Sequence, residues 1–76
     1  MSLDPEQTAR VVALAMDLAR TGQTEELSQF LEHGLPVDVQ DADGNTLLML
    51  AAYHGHTDTL RMLVDRGADI DLRNAR

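Results

Sequence analysis

Asp41-Ala42-Asp43-Gly44-Asn45-Thr46-Leu47-Leu48-Met49-Leu50-Ala51-Ala52-Tyr53-His54-Gly55-His56 holds a turn, a helix start and an apolar helix in immediate succession. Asp41 to Gly44 carries the residue types that bend a chain: aspartates that bond nearby backbone and a glycine that accepts positive φ. Thr46 is suited to open a helix. The helix expected from there to about His54-Gly55 is apolar nearly all round. A helix without a polar face is buried on more than one side, so this stretch calls for a neighbour before it and a neighbour after it.

Repetition supplies the first neighbour. At an offset of 33 residues, Leu14 falls on Leu47, Met16 on Met49, Ala19 on Ala52 and Gly22 on Gly55. Thr24 falls on Thr57, Leu27 on Leu60, Gly34 on Gly67 and Asp38 on Asp71. Phe30 with Leu63, Leu31 with Val64 and Val37 with Ile70 keep the apolar character between identities. A fixed period of this length marks a stack of small supersecondary units, each unable to bury its apolar face alone.

Each unit reads as two short helices. Asp4-Pro5-Glu6-Gln7 opens the first with a capping residue, a proline in the first turn and a glutamine that can close a capping box. Val11, Leu14, Ala15 and Leu18 form its expected buried stripe, and Gly22 its stop. Thr24 is the expected cap of the second helix, with Glu25 and Glu26 set favourably against the helix dipole. Leu27, Phe30 and Leu31 form that helix's stripe before Gly34. Thr57-Asp58 opens the equivalent helix of the second unit, which carries Leu60, Leu63 and Val64 to Gly67. Alternation at Val37 and Val39, and again at Ile70 and Leu72, predicts a brief extended arm.

With these residues in view, the stretch from Asp41 to His56 resembles the opening of an ankyrin repeat, and Leu60 to Asp71 its second half, through Ala51-Ala52, Gly55-His56 and Gly67-Ala68-Asp69. The resemblance implies an all-α solenoid, with short turn or hairpin loops between helix pairs. It implies an N-terminal capping repeat over 5–40, a full repeat over 41–73 and the start of a further repeat at 74–76. On this reading the chain is an N-terminal part of a longer stack, since the second unit's apolar helix and arm await a cover. The sequence departs from the family at Thr46-Leu47-Leu48-Met49, where the family's Thr-Pro-Leu-His would place a backbone-bonding histidine. The rigidity of the adjacent loop is therefore in question. In the family, a histidine after the glycine bonds loop carbonyls, which assigns His56 a structural part.

Composition excludes much chemistry. The 76 residues include 13 acidic and 6 basic side chains, for a net charge of -7, and every basic residue is arginine. Without cysteine there is no disulfide, thiol nucleophile or Cys-based zinc site. Without lysine there is no Schiff base. The acidity argues against nucleic acid, which demands a basic face. No apolar run approaches the roughly 20 residues that span a bilayer, and the N-terminus shows no basic stretch followed by an apolar core. A cytoplasmic protein is expected.

Three sharper readings fail, two on spacing and one on exposure to water. His54 and His56, with His33, lack partners at offsets that would fix a tetrahedral metal site. Asp41-Ala42-Asp43-Gly44 lacks the bidentate glutamate of a calcium loop, because Leu50 stands there. The pairs Asp41/Asp43 and Asp69/Asp71 lie in turns open to water, where ordinary pKa values are expected. No cofactor, no metal and no catalytic residue is implied, and an enzyme is not expected.

The resemblance implies a non-catalytic interaction module that binds a protein through turn tips and first-helix ends. Carried over by position, the partner-binding residues are Gln40, Asp43 and Asn45 (with Ala42) at the turn, Tyr53 and His54 after it, Arg20 and Thr21 one unit earlier, and Arg73 one unit later. The charge favours a basic protein partner. The alternative reading is a regulatory or targeting segment of a larger enzyme or effector. Self-association through the uncovered end is a further expectation.

Overall fold

The computed structural model describes residues 4–72. Its elements are α1 (Pro5–Thr21), α2 (Thr24–Glu32), α3 (Leu47–Tyr53) and α4 (Thr57–Asp65). No strand is formed among the described residues, and the fold is all-α. The helices pack in sequence pairs, α1 with α2 and α3 with α4, and the pairs stack α1 on α3 and α2 on α4.

The expected capping box opens α1. The Asp4 carboxylate accepts the Gln7 N–H at 2.7 Å, and the Gln7 side chain accepts the Asp4 N–H at 3.3 Å. At the other end Gly22 turns the chain at a φ of 76° and returns its N–H to the Leu18 carbonyl. Thr46 caps α3, its hydroxyl accepting the Met49 N–H at 3.2 Å while itself buried.

Thr24 does not cap α2. It is the first helical residue, Gln23 precedes it without a side-chain cap, and the Thr24 hydroxyl bonds that of Thr59 at 2.7 Å. Thr59 is buried in α4, and a buried hydroxyl without a partner costs more than an exposed helix end that water can satisfy.

The core joins Ala15, Met16 and Ala19 of α1, Leu27 of α2, Leu47, Leu48 and Ala51 of α3, and Leu63 of α4. The buried stripe of α1 is therefore rotated from the expected one. Leu14 is 56% exposed, and Val11 and Leu18 are only half-buried. The small side chains of Ala15 and Ala19 let α3 approach closely, so the helix turns that side inward.

The 33-residue pairs now acquire a direction. Ala19 is buried and its counterpart Ala52 is exposed, whereas Leu14 is exposed and its counterpart Leu47 is buried. One face of each helix pair leads and the other trails. The trailing face of α1–α2 is covered by the leading face of α3–α4.

The expected extended arms are turns. The Val39 N–H reaches the Pro36 carbonyl at 3.1 Å and the Leu72 N–H the Asp69 carbonyl at 3.4 Å, which closes the backbone locally instead of along a ladder. The extended pairing that does form among the described residues is a single antiparallel bridge between Gln40 and Thr46, around the turn from Asp41 to Gly44. That turn is as the sequence predicts, with the Gly44 N–H on the Asp41 carbonyl at 3.0 Å. Asp38 accepts the Asp69 N–H at 2.9 Å, which links the connecting segments of the two pairs.

Candidate partner-binding surface

The hairpin is held from inside by Asp41. One carboxylate oxygen accepts the N–H groups of Asp43 and Asn45, each at 2.9 Å, and the other accepts the Asn45 side-chain amide at 3.3 Å. Burial opposes ionisation of this carboxyl, but the Asn45 and Asp43 bonds and the charge of Arg20 outweigh it and hold its pKa below the ordinary value. The sequence expectation of an unshifted pair is thus corrected at Asp41. The Gln40 side chain adds a bond to the Gly44 carbonyl at 2.9 Å. These bonds stiffen the loop although Met49 replaces the family's histidine. Ala42 and Asp43 are left exposed at its tip.

A second cluster forms where α1 and α3 end side by side. Tyr53 is 85% exposed. Its ring meets His54 edge-on at 5.3 Å between centroids, and His54 stacks on His56 at 6.5 Å. His56 crosses to the first helix pair, where its Nε2 lies 2.8 Å from the Arg20 carbonyl. Beside it, Arg20 pairs with Asp17 at 2.7 Å, and Thr21 bonds the Asp17 carbonyl while accepting from Gln23. Both members of the Arg20–Asp17 pair are about half exposed or more, so the pair fixes a direction for Arg20 more than it stabilises the fold.

Of the residues singled out from sequence, Arg20, Thr21, Tyr53 and His54 are brought into this cluster, and Gln40, Asp43 and Asn45 into the hairpin. Arg73 and the segment 74–76 lie outside the described residues. Two features were not anticipated. Asp17 aims Arg20, a pairing that the i, i+3 spacing signals. A groove of about 640 Å³ runs between the hairpin at Gln40–Ala42 and α1 at Thr8, Ala9 and Val12. Among the described residues no cluster of three or more His, Asp or Glu is placed to hold a metal ion. Among the same residues no helix is long and apolar enough to cross a membrane.

The family pattern described as ankyrin repeats, in three copies, matches residues 5–74. The chain belongs to the ankyrin-repeat family. It is 48% identical over 56 residues to a putative ankyrin repeat protein of Pseudomonas aeruginosa, covering 74% of this chain and 33% of that protein. It is 50% identical over 56 residues to ankyrin repeat domain-containing protein 29 of Homo sapiens, covering 72% of this chain and 19% of that protein. With oxysterol-binding protein-related protein 1 of Rattus norvegicus the identity is 36% over 75 residues, 96% of this chain and 8% of that protein. The chain thus spans a third or less of the length of these relatives. Ankyrin repeats are generally protein–protein interaction modules and typically non-catalytic.

Proposed function

We propose that this chain is a non-catalytic interaction module that binds a basic protein segment with its hairpin tip and the neighbouring ends of α1 and α3. The observation that carries the reading is Tyr53, a large aromatic side chain left 85% exposed yet braced by His54 and, through it, by His56. An aromatic ring already held in place loses little freedom on binding and offers apolar area with a polar tip. Few residues of an interface carry most of its energy, and tyrosine is prominent among them.

The preference for a basic partner rests on charge. The chain carries -7 overall, Asp43 stands exposed at the hairpin tip, and Arg20 has its charge answered by Asp17. Oppositely charged surfaces speed encounter and exclude wrong partners, and added salt screens the attraction.

The test is charge reversal at the tip. A partner recovered on the immobilised chain and then purified is titrated against wild type and Asp43→Arg at low and at moderate salt. The reading expects weaker binding by Asp43→Arg, a smaller salt dependence for that variant, and no turnover of the partner. Binding that is indifferent both to salt and to the reversal overturns the basic-partner assignment.

A further inference from the structure

We propose that Asp43 is a modification site: its side-chain carboxyl and the Gly44 nitrogen close to a cyclic imide that reopens to isoaspartate, and Asp41 sets the pace by holding the turn shut. This goes beyond the partner-binding reading and does not depend on it.

Asp43-Gly44 is the one Asp-Gly pair in the sequence. Glycine has no Cβ, so no side chain crowds the attacking nitrogen, and its backbone reaches conformations that other residues avoid. Of the other eight aspartates, Asp4 precedes a proline, which has no N–H to lose. The remaining seven precede a residue whose side chain stands beside the nitrogen.

The fold separates Asp43 from its nearest rival. Asp41 precedes the small Ala42, but its carboxylate accepts the N–H groups of Asp43 and Asn45 at 2.9 Å and the Asn45 amide at 3.3 Å. Those bonds keep Asp41 ionised. A carboxylate is a poor electrophile, because its oxygen must leave as water. Asp43 is exposed at the tip. Among the described residues its carboxyl takes part in no hydrogen bond or ion pair, so water and protons reach it.

The bonds balance with water alone. With the Asp43 carboxyl protonated, the Gly44 nitrogen attacks Cγ and a C–N bond forms. The nitrogen's proton and the Cγ hydroxyl leave as water, which closes a five-membered imide. Water then opens the ring at either carbonyl. Attack at Cγ restores aspartate. Attack at the main-chain carbonyl breaks its bond to the Gly44 nitrogen. The chain then runs through Cβ and Cγ, with a carboxylate left on Cα and no change in mass.

The closed turn restrains this step. The Gly44 N–H donates to the Asp41 carbonyl at 3.0 Å, and the Gln40 side chain holds the Gly44 carbonyl at 2.9 Å. While these bonds are made, the nitrogen neither gives up its proton nor turns onto Cγ. Reaction therefore passes through a locally opened turn, at a rate set by the population of that state. Four of the turn's bonds end on Asp41, three of them on its charged carboxylate, and bonds to an ionised group are the stronger kind. Asp41 thus guards its neighbour. The product lengthens the main chain by one carbon between residues 43 and 44. That moves the Gly44 N–H off the Asp41 carbonyl and undoes the turn beneath the Gln40–Thr46 bridge.

The test is to incubate the purified chain for weeks at physiological temperature, at neutral and at mildly acidic pH. Isoaspartate is read as methyl groups accepted from an isoaspartyl methyltransferase and is placed by mass-spectrometric sequencing of peptides. It is expected at Asp43 and not at Asp41, and faster at the lower pH. Asp41→Ala, checked as folded by circular dichroism, is expected to react about tenfold faster, from the larger open population once bonds to a charged group are lost. Asp43→Glu keeps the charge but requires a six-membered ring, and is expected to give no signal there. The wild-type chain unfolded in guanidinium shows the unguarded rate. A folded chain that forms no isoaspartate at Asp43 overturns the proposal. So does isoaspartate spread evenly over the other aspartates, or a rate that Asp41→Ala leaves unchanged.

Discussion

His56 donates its Nε2–H to the backbone carbonyl of Arg20 across 2.8 Å, tying the start of α4 to the end of α1. A carbonyl only accepts, so the proton lies on Nε2, and Nδ1 is turned toward Gly22. The same ring supports His54, which supports Tyr53. One side chain thereby joins the stacking of the helix pairs to the surface read as partner-binding.

Gly22 is required twice over. Its φ is 76°, and a Cβ built there would stand 2.5 Å from His56 Nδ1. Gly55 has a similar φ of 75° with nothing near its missing Cβ. Gly55→Ala is expected to cost about 1 kcal/mol, the strain of a left-handed residue, and Gly22→Ala at least about 1 kcal/mol more. Urea denaturation of both variants checks this. In a His56→Ala background the excess at Gly22 should disappear; if it persists, the contact is not its cause.

The Thr24–Thr59 hydroxyl pair bridges α2 and α4 at a buried position. Thr59→Val is expected to lower stability by about 1–2 kcal/mol, because Thr24 loses its partner in a partly buried site. Thr24→Val with Thr59→Val should cost less than the sum of the two single changes. Additive losses in a double-mutant cycle would mean that the hydroxyls do not interact.

Asp41 makes the fold sensitive to acid. Its folded pKa is lowered, since hydrogen bonds to the charged form outweigh burial. A lowered pKa contributes stability that is fully present above the unfolded value and is lost as pH falls through the folded one. The melting temperature of wild type is therefore expected to exceed that of Asp41→Asn at pH 7, with the gap narrowing below about pH 4, the ordinary carboxylate range. Melts across that range decide it. A gap that stays constant with pH would assign the effect to shape instead of charge.

The helix positions were legible because each carries local signals: Asp4-Pro5 and Gly22 bracket α1, Thr46 and His54-Gly55 bracket α3. The period of 33 residues exposed the stacking. What it left open was the side each residue faces. Leu14 and Leu47 occupy equivalent positions, yet one is exposed and one is buried, because facing depends on which neighbour is present. The capping role expected of Thr24 failed for a related reason, since its partner Thr59 is 35 residues away and visible only in the fold. The alternation at Val37 and Val39 was misleading because these valines are half-buried in turns, where burial spaces apolar residues without any ladder. Of the surface residues, the Tyr53–His54 neighbours followed from adjacency, whereas the Asp41 bonds to Asp43 and Asn45 needed the turn geometry.

The most direct test of the interaction surface is calorimetric titration of the purified partner into wild type and Tyr53→Ala. Because Tyr53 is 85% exposed, its removal should leave the melting temperature within about a degree or two of wild type, as for surface changes generally. The account predicts an affinity loss of about tenfold or more, the mark of an anchoring residue. Equal affinity in two equally stable proteins would contradict it.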